Sequence, residues 1–173
     1  MVVEKINADK LYQLLHEATN QFLEMVSSFD EKEINLVPYY GSWTAGQIAE
    51  HVTLSNNDIV KQLSKPGKVC TREPDAGVEN IKSIFLNFTE KLKSPGFILP
   101  TRNWYNRETL IANLAESIRS VRAVSTGEGL FQLIDHTVFG EVTRYETLYF
   151  VVYHTQRHIH QLRNIQTIIA AQK

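Results

Sequence analysis

Two stretches of the chain decide the fold, GSWTAGQIAEHV at residues 41–52 and YHTQRHIHQ at residues 153–161. The first begins a helix, because Thr44 is a good N-cap and a glutamine three residues later completes a capping box. The second places His154 and His158 four residues apart, so both rings lie on one helix face, one turn apart. Outward from these two stretches, the apolar spacing is helical almost throughout.

The spacing predicts four long amphipathic helices. The first runs from an N-cap at Asn7 to Phe29, and the second from Thr44 to Leu63. The third runs from near Asn106 to Gly127, a natural residue just past a helix end, and the last from a capping box at Thr143 and Glu146 almost to the end of the chain. Residues 66–106 form a long crossover between the second and third, irregular over 97–106 and carrying an extra short helix at 78–93. We therefore predict an all-α, single-domain four-helix bundle over residues 1–173, with an orthogonal helical fold as the alternative.

Composition restricts the class of protein. The chain has 173 residues, 43% hydrophobic and 21% charged, and 18 basic against 19 acidic residues give a net charge of -1. This balance argues against a nucleic-acid partner. The N-terminus lacks a signal-peptide pattern and no apolar run is long enough to span a membrane, so we expect a soluble cytoplasmic protein. The single cysteine, Cys70, excludes an internal disulfide and a multi-cysteine metal site.

The histidine pair of the last helix continues its apolar face. His154 and His158 fall between Val151 and Leu162 with the same three-and-four spacing. Both imidazoles are therefore expected to point into the bundle, where a polar group needs a partner. Two imidazoles one turn apart can share one metal ion, although such a pair also arises by chance and binds nothing.

A third ligand is available on the second helix. His51 flanks the apolar stripe there, and with His154 and His158 it forms a three-histidine site that leaves a fourth position open. Neutral imidazoles accept zinc, nickel, copper or iron, so the donor set leaves the metal open. Gln47 and Gln161, each one turn from a ligand position, are candidates for orienting the ligands or lining the pocket.

Other polar residues have simpler interpretations. His16 is expected on the surface, His136 in a solvated loop and His160 on the outer side of the last helix. Thr155 stands where the HExxH metalloprotease motif has its glutamate, so peptide hydrolysis by that route is not supported. Glu50 is next to His51 in sequence but points elsewhere around the helix, so no general base is evident.

The first stretch, followed by EVTRYETLYFVVYHTQRHIHQL at residues 141–162, resembles the DinB-like superfamily, which includes the bacillithiol-transferase branch. The resemblance implies a down-up-up-down four-helix bundle that is often dimeric. It also implies a divalent metal, zinc or nickel in the first place, held by one histidine of the second helix and two of the last. Matched residue by residue, these are His51, His154 and His158.

Three functions follow as hypotheses. The first is an enzyme that transfers a small-molecule thiol, bacillithiol-like, to an electrophile, with the thiol bound to the metal as a thiolate. The second is a hydrolase that uses the same ion to activate water. The third is a metal-binding helical module without catalysis. A homodimer is expected from the resemblance, and neither nucleic acid nor a membrane is an expected partner.

Overall fold

The computed structural model describes residues 6–126 and 129–172. Within them the chain forms six α-helices, a 3-10 helix and one two-stranded sheet. The helices are α1 (Ala8–Ser28), α2 (Glu31–Ile34), α3 (Ala45–Leu63), α4 (Val78–Phe85), α5 (Arg107–Ser125) and α6 (Arg144–Ala171). The 3-10 helix covers Gly96–Ile98, and the strands are β1 (Leu133–His136) and β2 (Gly140–Thr143).

Side chains cap the long helices where the sequence predicts. The Asn7 side chain accepts a hydrogen bond from the first turn of α1. Thr44 and Gln47 form a capping box at α3, and Thr143 and Glu146 form another at α6. Each box pairs backbone N–H groups that the helix itself leaves free. Helices α3 and α6 therefore start at defined residues and carry their histidines at defined heights in the bundle.

The four long helices run down, up, up and down. The Tyr12 hydroxyl near the start of α1 donates to the Ser125 carbonyl at the end of α5 (3.1 Å), so these two helices are antiparallel. Arg144 at the start of α6 donates to a carbonyl just after α3 (2.7 Å), so α3 and α6 are also antiparallel. Gln166 near the end of α6 donates to the last residue of α1 (2.8 Å), so α1 and α6 run together. The predicted topology is confirmed.

The apolar faces of the long helices fill a common interior. Each contributes side chains that are almost fully buried, among them Phe22 of α1, Val52 of α3, Leu114 of α5 and Leu162 of α6. Burial of one such side chain stabilises the fold by roughly 1.5–3 kcal/mol. The three-and-four spacing in the sequence therefore marks the faces that pack in the bundle.

A β-hairpin precedes α6. The all-α prediction from the sequence did not include this hairpin. The strands pair antiparallel, with Leu133 opposite Thr143 and His136 opposite Gly140, around a turn at 137–139. Gly140 has φ 70°, a left-handed conformation that glycine adopts without steric cost. The expectation of a solvated His136 is wrong, because the hairpin presses this side chain against the bundle and leaves it 5% exposed.

The extra helix of the crossover is shorter than predicted and ends at Phe85. The apolar spacing continues beyond it, but the Asn87 side chain accepts hydrogen bonds from the N–H (3.2 Å) and the hydroxyl (2.7 Å) of Thr89. This local turn competes with the next helical turn. Phe88 then stacks on an imidazole of α6 instead of continuing the face of α4.

The 97–106 stretch and the end of α5 were also predicted from the sequence. The stretch 97–106 is irregular as predicted, apart from the 3-10 helix that overlaps its start. Helix α5 ends at Ser125, and Gly127, which was predicted to follow its end, lies outside the described residues. None of the described helices is both long enough and apolar enough to cross a bilayer.

Candidate metal centre

Three buried imidazoles meet between α3 and α6. His51 comes from α3, and His154 and His158 come from successive turns of α6, with 2%, 6% and 5% of their surfaces exposed. The Nε2 atom of His154 lies 3.1 Å from Nε2 of His51 and 3.0 Å from Nε2 of His158. All three ligand atoms lie within 4.8 Å of one another. The structure thus brings together the three histidines that the sequence singled out.

The protein fixes the tautomers of two of these rings. Nδ1 of His51 lies 2.8 Å from the backbone carbonyl oxygen of Ile98, which can only accept, so this nitrogen carries the proton. Nδ1 of His158 lies 2.7 Å from the side-chain oxygen of Gln161 and donates to it in the same way. The Nε2 atoms of both rings are therefore left as lone-pair donors that face the third imidazole.

This arrangement cannot be satisfied by hydrogen bonds among the rings alone. His154 has at most one proton on Nε2, and it can give that proton to His51 or to His158 but not to both. At least one buried lone pair is then left without a donor. A cation in the middle removes the conflict, since all three nitrogens can donate to it at once.

The spacing of the nitrogens suits a transition metal. With metal–nitrogen bonds of about 2.0–2.1 Å, two nitrogens of a tetrahedral shell lie about 3.3–3.4 Å apart. Two of the three pairs here have separations of 3.0 and 3.1 Å. Within the part of the chain that the structure describes, this is the one group of three or more histidine, cysteine or acidic side chains with such proximity. The residues fit a divalent ion with three protein ligands.

Burial keeps the three rings neutral. It lowers the pKa of His51, and the Ile98 carbonyl offsets this only in part. Burial lowers the pKa of His158 to about 3, with a further contribution from the neighbouring His51. The pKa of His154 lies well below its usual value, first because of burial and then because of the two neighbouring rings. Neutral imidazole is the form that binds a metal, so protons compete weakly for this site.

Aromatic rings enclose the cluster. Trp43 contacts the His51 ring with 5.1 Å between centroids. Phe150 stacks on His154 at 5.1 Å, and Phe85 meets the same ring edge to face at 5.8 Å. These rings keep water from the imidazole faces and lower the local dielectric, which strengthens electrostatic interactions at the centre.

Arg157, next to a ligand in sequence, holds the crossover against α6. Its guanidinium donates to the backbone carbonyls of Phe85 (3.3 Å) and Asn87 (2.8 Å) and to that of Glu90. The side chain is buried, with 6% of its surface exposed. Because Phe85 is part of the aromatic wall, Arg157 positions one side of the metal centre although it does not contact the ligands' nitrogens.

Two other polar candidates are occupied elsewhere. The Gln47 amide belongs to the cap of α3 and donates to the Arg102 carbonyl (3.3 Å). The Glu50 carboxylate accepts hydrogen bonds from the Tyr105 hydroxyl (2.7 Å) and the Thr101 N–H (2.8 Å). Burial raises the pKa of Glu50, but these hydrogen bonds outweigh it and hold the pKa below the usual value. Glu50 is therefore an ionised structural group and not a base poised at the cluster.

Sequence reasoning missed three supports of the centre. The Ile98 carbonyl carries no side-chain signal, since it is a backbone atom. The clamp made by Arg157 depends on where the crossover docks, which helical spacing does not reveal. Trp43 was recognisable as the apolar residue before the α3 cap, but its contact with His51 follows only from the path of the loop. The remaining histidines lie apart: His16 is exposed as expected, and His160 is half-buried against Phe88.

Fold and site together define a class, a four-helix bundle with a buried three-histidine centre between its second and last long helices. The chain belongs to the DinB superfamily, whose sequence pattern matches residues 14–162. No curated protein matches the sequence.

Two solved structures share the fold. One is TT2238, described as a four-helix bundle protein, with a TM-score of 0.59 and 16% identity over 91% of this chain and 99% of that one. The other is YfiT from Bacillus subtilis, described as a probable metal-dependent hydrolase with an unusual four-helix bundle topology. It has a TM-score of 0.58 and 16% identity over 98% of this chain and 93% of that one. At this identity the likeness concerns the fold.

Proposed function

We propose that the protein is a divalent-metal enzyme that transfers a small, bacillithiol-like thiol to an electrophile, with zinc or nickel as the ion. The observation that carries the proposal is the convergence of three neutral Nε2 atoms, from His51, His154 and His158, with two tautomers fixed by the protein. Three protein ligands leave a position free for a further ligand, as in catalytic rather than structural sites.

The donor set favours a thiol. A divalent ion with only neutral ligands keeps its full positive charge, and it would lower the pKa of a bound thiol or water. The carboxylate nearest in sequence, Glu50, is held by Tyr105 and Thr101. A thiol that ionises on binding needs no base beside it, so this site suits a thiol better than a mechanism that depends on a protein base.

The chain's own residues have three roles in this scheme. The histidines hold the ion, and the Ile98 carbonyl and Gln161 orient two of their rings. Trp43, Phe85 and Phe150 exclude water and offer apolar surface to an organic electrophile. Arg157 keeps the crossover closed over the site.

Hydrolysis is the second candidate, and the description of YfiT favours it. It would use the same three histidines, with water in place of the thiol. The two reactions differ in what they consume, so dependence of the rate on added thiol separates them.

The test is turnover by protein stripped of metal and reloaded with zinc or nickel. One assay supplies 1-chloro-2,4-dinitrobenzene with cysteine or bacillithiol, and another supplies 4-nitrophenyl acetate without thiol. We expect thiol-dependent transfer that chelator abolishes, retained by His16→Ala and lost by His154→Ala. Equal rates with and without chelator would overturn the proposal. Metal-dependent stability without turnover would identify a non-catalytic module.

The homodimer and the cytoplasmic location stay predictions. Light scattering of the purified chain tests the first, and fractionation of the source cells tests the second.

A further inference from the structure

A second buried histidine lies one aromatic ring away from the metal centre. The His136 ring meets Phe150 edge to face at 5.2 Å, and Phe150 in turn stacks on His154. His136 also packs on Phe139 at 4.8 Å, and Phe139 contacts Phe85 of the wall at 6.0 Å. The hairpin thus extends the aromatic wall of the metal centre and adds one polar side chain to it.

The proton of this imidazole is on Nε2. Nδ1 accepts the backbone N–H groups of Val138 (3.1 Å) and Phe139 (3.3 Å) at the hairpin turn, so Nδ1 has no proton. Burial lowers the pKa of His136 to about 4, although Asp58 acts in the opposite direction. The ring is therefore neutral near pH 7 and carries its single proton as an Nε2–H donor.

This donor has no partner among the described residues. Nε2 of His136 is buried and makes no hydrogen bond. The ring that carries it lies between the hairpin turn and Phe150 of α6. The nearby Asp58 carboxylate accepts instead from Gln62 and from the Thr137 hydroxyl (3.4 Å). A buried N–H without an acceptor is rare in native proteins and calls for an explanation.

We propose that the Nε2–H of His136 donates a hydrogen bond to an uncharged oxygen of a molecule bound beside the aromatic wall of the metal centre. As the partner of the proposed transfer reaction, this molecule is the electrophile, and that part of the inference rests on the proposed function. A neutral donor among Phe139 and Phe150 suits a carbonyl oxygen on an apolar body. An anion would lose its hydration without gaining a charged partner there.

A matched pair of probes tests the inference without requiring turnover. Acetophenone and ethylbenzene have similar apolar bodies, and only the first carries an acceptor oxygen. Binding of each to the zinc-loaded full chain is followed by NMR, through the imidazole signals of ¹⁵N-histidine-labelled protein. We expect wild type to bind acetophenone up to about tenfold more tightly than ethylbenzene, the range of a neutral hydrogen bond.

His136→Asn is the decisive variant. Its amide oxygen can replace Nδ1 as acceptor at the turn, while the donor at the position of Nε2 is lost. The preference for acetophenone should fall to about one, with ethylbenzene binding and zinc content unchanged. His136→Gln, whose amide nitrogen reaches the position of Nε2, should retain the preference. The exposed His16→Asn serves as the matched control and should behave as wild type.

Three outcomes would overturn the inference. These are an unchanged preference in His136→Asn, no binding of either probe by wild type, and loss of the preference in a folded His136→Gln. If His136→Asn does not fold, the result for His136→Gln decides. A wild-type preference that depends on His136, found in a protein without thiol transfer, would keep this site and reject only the proposed reaction.

Discussion

Helix α3 packs against α5 along one interface and against α6 along another, and we call these interfaces seams. The buried polar groups of the two seams are paired differently. Toward α5 the seam contains one buried polar pair, in which the Asn56 amide donates to the Ser117 hydroxyl (3.1 Å). That hydroxyl donates onward to the Leu114 carbonyl (2.8 Å). Every polar contact in this chain of hydrogen bonds joins a donor to an acceptor, so the α5 seam is complete without any added group.

Toward α6 the seam contains three imidazoles, and they have too few N–H groups among them to pair every ring nitrogen. His51 and His158 direct their other nitrogens to acceptors, which leaves lone pairs facing His154. Burial by itself therefore does not mark a functional site. What marks it is a buried polar group whose partner the chain does not supply, because such a group is completed by an ion or a ligand.

The largest effect should come from the central imidazole. His154→Ala removes the ring that contacts both other ligands, so we expect metal affinity to fall by more than about a hundredfold, beyond the usual loss for a supporting residue. A competition titration against a chelator measures it, with His16→Ala as the control. Full metal occupancy in His154→Ala would show that the ion, if bound, lies elsewhere.

A neighbouring ligand should behave in the opposite way without metal. His158→Leu leaves two imidazoles that can satisfy each other, because Nε2–H of His154 can donate to Nε2 of His51 (3.1 Å), so the metal-free variant should unfold at least as late in urea as the metal-free wild type. Added zinc should stabilise only the wild type. A metal-free variant less stable by several kcal/mol would mean that the imidazole cluster is satisfied by the protein alone.

A buried carboxylate of α6 should affect the stability of the fold and not the binding of metal. Glu146 accepts hydrogen bonds from Arg72 (2.7 and 2.6 Å), the Gly77 N–H (2.6 Å) and the Thr143 N–H (2.8 Å). Glu146→Gln turns one acceptor into a donor that faces other donors, so the free energy of unfolding should fall by about 2–3 kcal/mol. Metal affinity should be unchanged.

The pH dependence of stability checks the same group. Burial raises the pKa of Glu146, but the hydrogen bonds from Arg72, Thr143 and Gly77 outweigh it and hold the pKa below its usual value. Its contribution is therefore present above the pKa of the unfolded chain and is lost as the pH falls through the lower folded-state pKa. Glu146→Gln should flatten this acid limb, whereas Glu141→Gln, on an exposed ion pair with Lys68, should leave it unchanged.

A smaller effect is expected where the protein orients a ligand. Gln161→Ala removes the acceptor for Nδ1 of His158 and lets the ring change tautomer, so metal affinity should fall about tenfold to a hundredfold. The control is Gln13→Ala on the exposed face of α1, where the amide donates to Glu17. Equal affinities for the two variants would show that the Gln161 contact does not tune the site.

The smallest effect should come from the seam between α3 and α5. Asn56→Ala removes one hydrogen bond but leaves Ser117 bonded to Leu114, so the loss in unfolding free energy should be about 1 kcal/mol. Unlike the histidine variants, it should be the same with and without zinc. The exposed neighbour variant Asn57→Ala is the matched control, and a zinc-dependent difference at Asn56 would break the contrast between the seams.

The histidine cluster could be predicted because helical geometry is local. A spacing of four residues puts His154 and His158 on one face whatever the rest of the chain does, and the apolar residues around them show which face is buried. His51 joined them as a candidate because it flanks the apolar stripe of the second helix. The resemblance to a family then matched the same three residues. Whether the three histidines hold a metal stays a prediction.

The rest depended on contacts that local patterns do not encode. The strands of the hairpin have four residues each, too few for alternation to reveal them. The burial of His136 follows from packing against Phe150, which is distant in sequence. The early end of α4 follows from a side-chain turn at Asn87 that competes with an otherwise good apolar spacing.

The crossover supports the metal centre through main-chain atoms. His51 is oriented by the Ile98 carbonyl, and Arg157 donates to the carbonyl of the last residue of α4 and to two carbonyls that follow it. Every residue has a backbone carbonyl, so a substitution that leaves the backbone path unchanged also leaves these oxygens in place. Most side chains of this segment can therefore be exchanged without moving the oxygens that orient His51 and hold the crossover against α6.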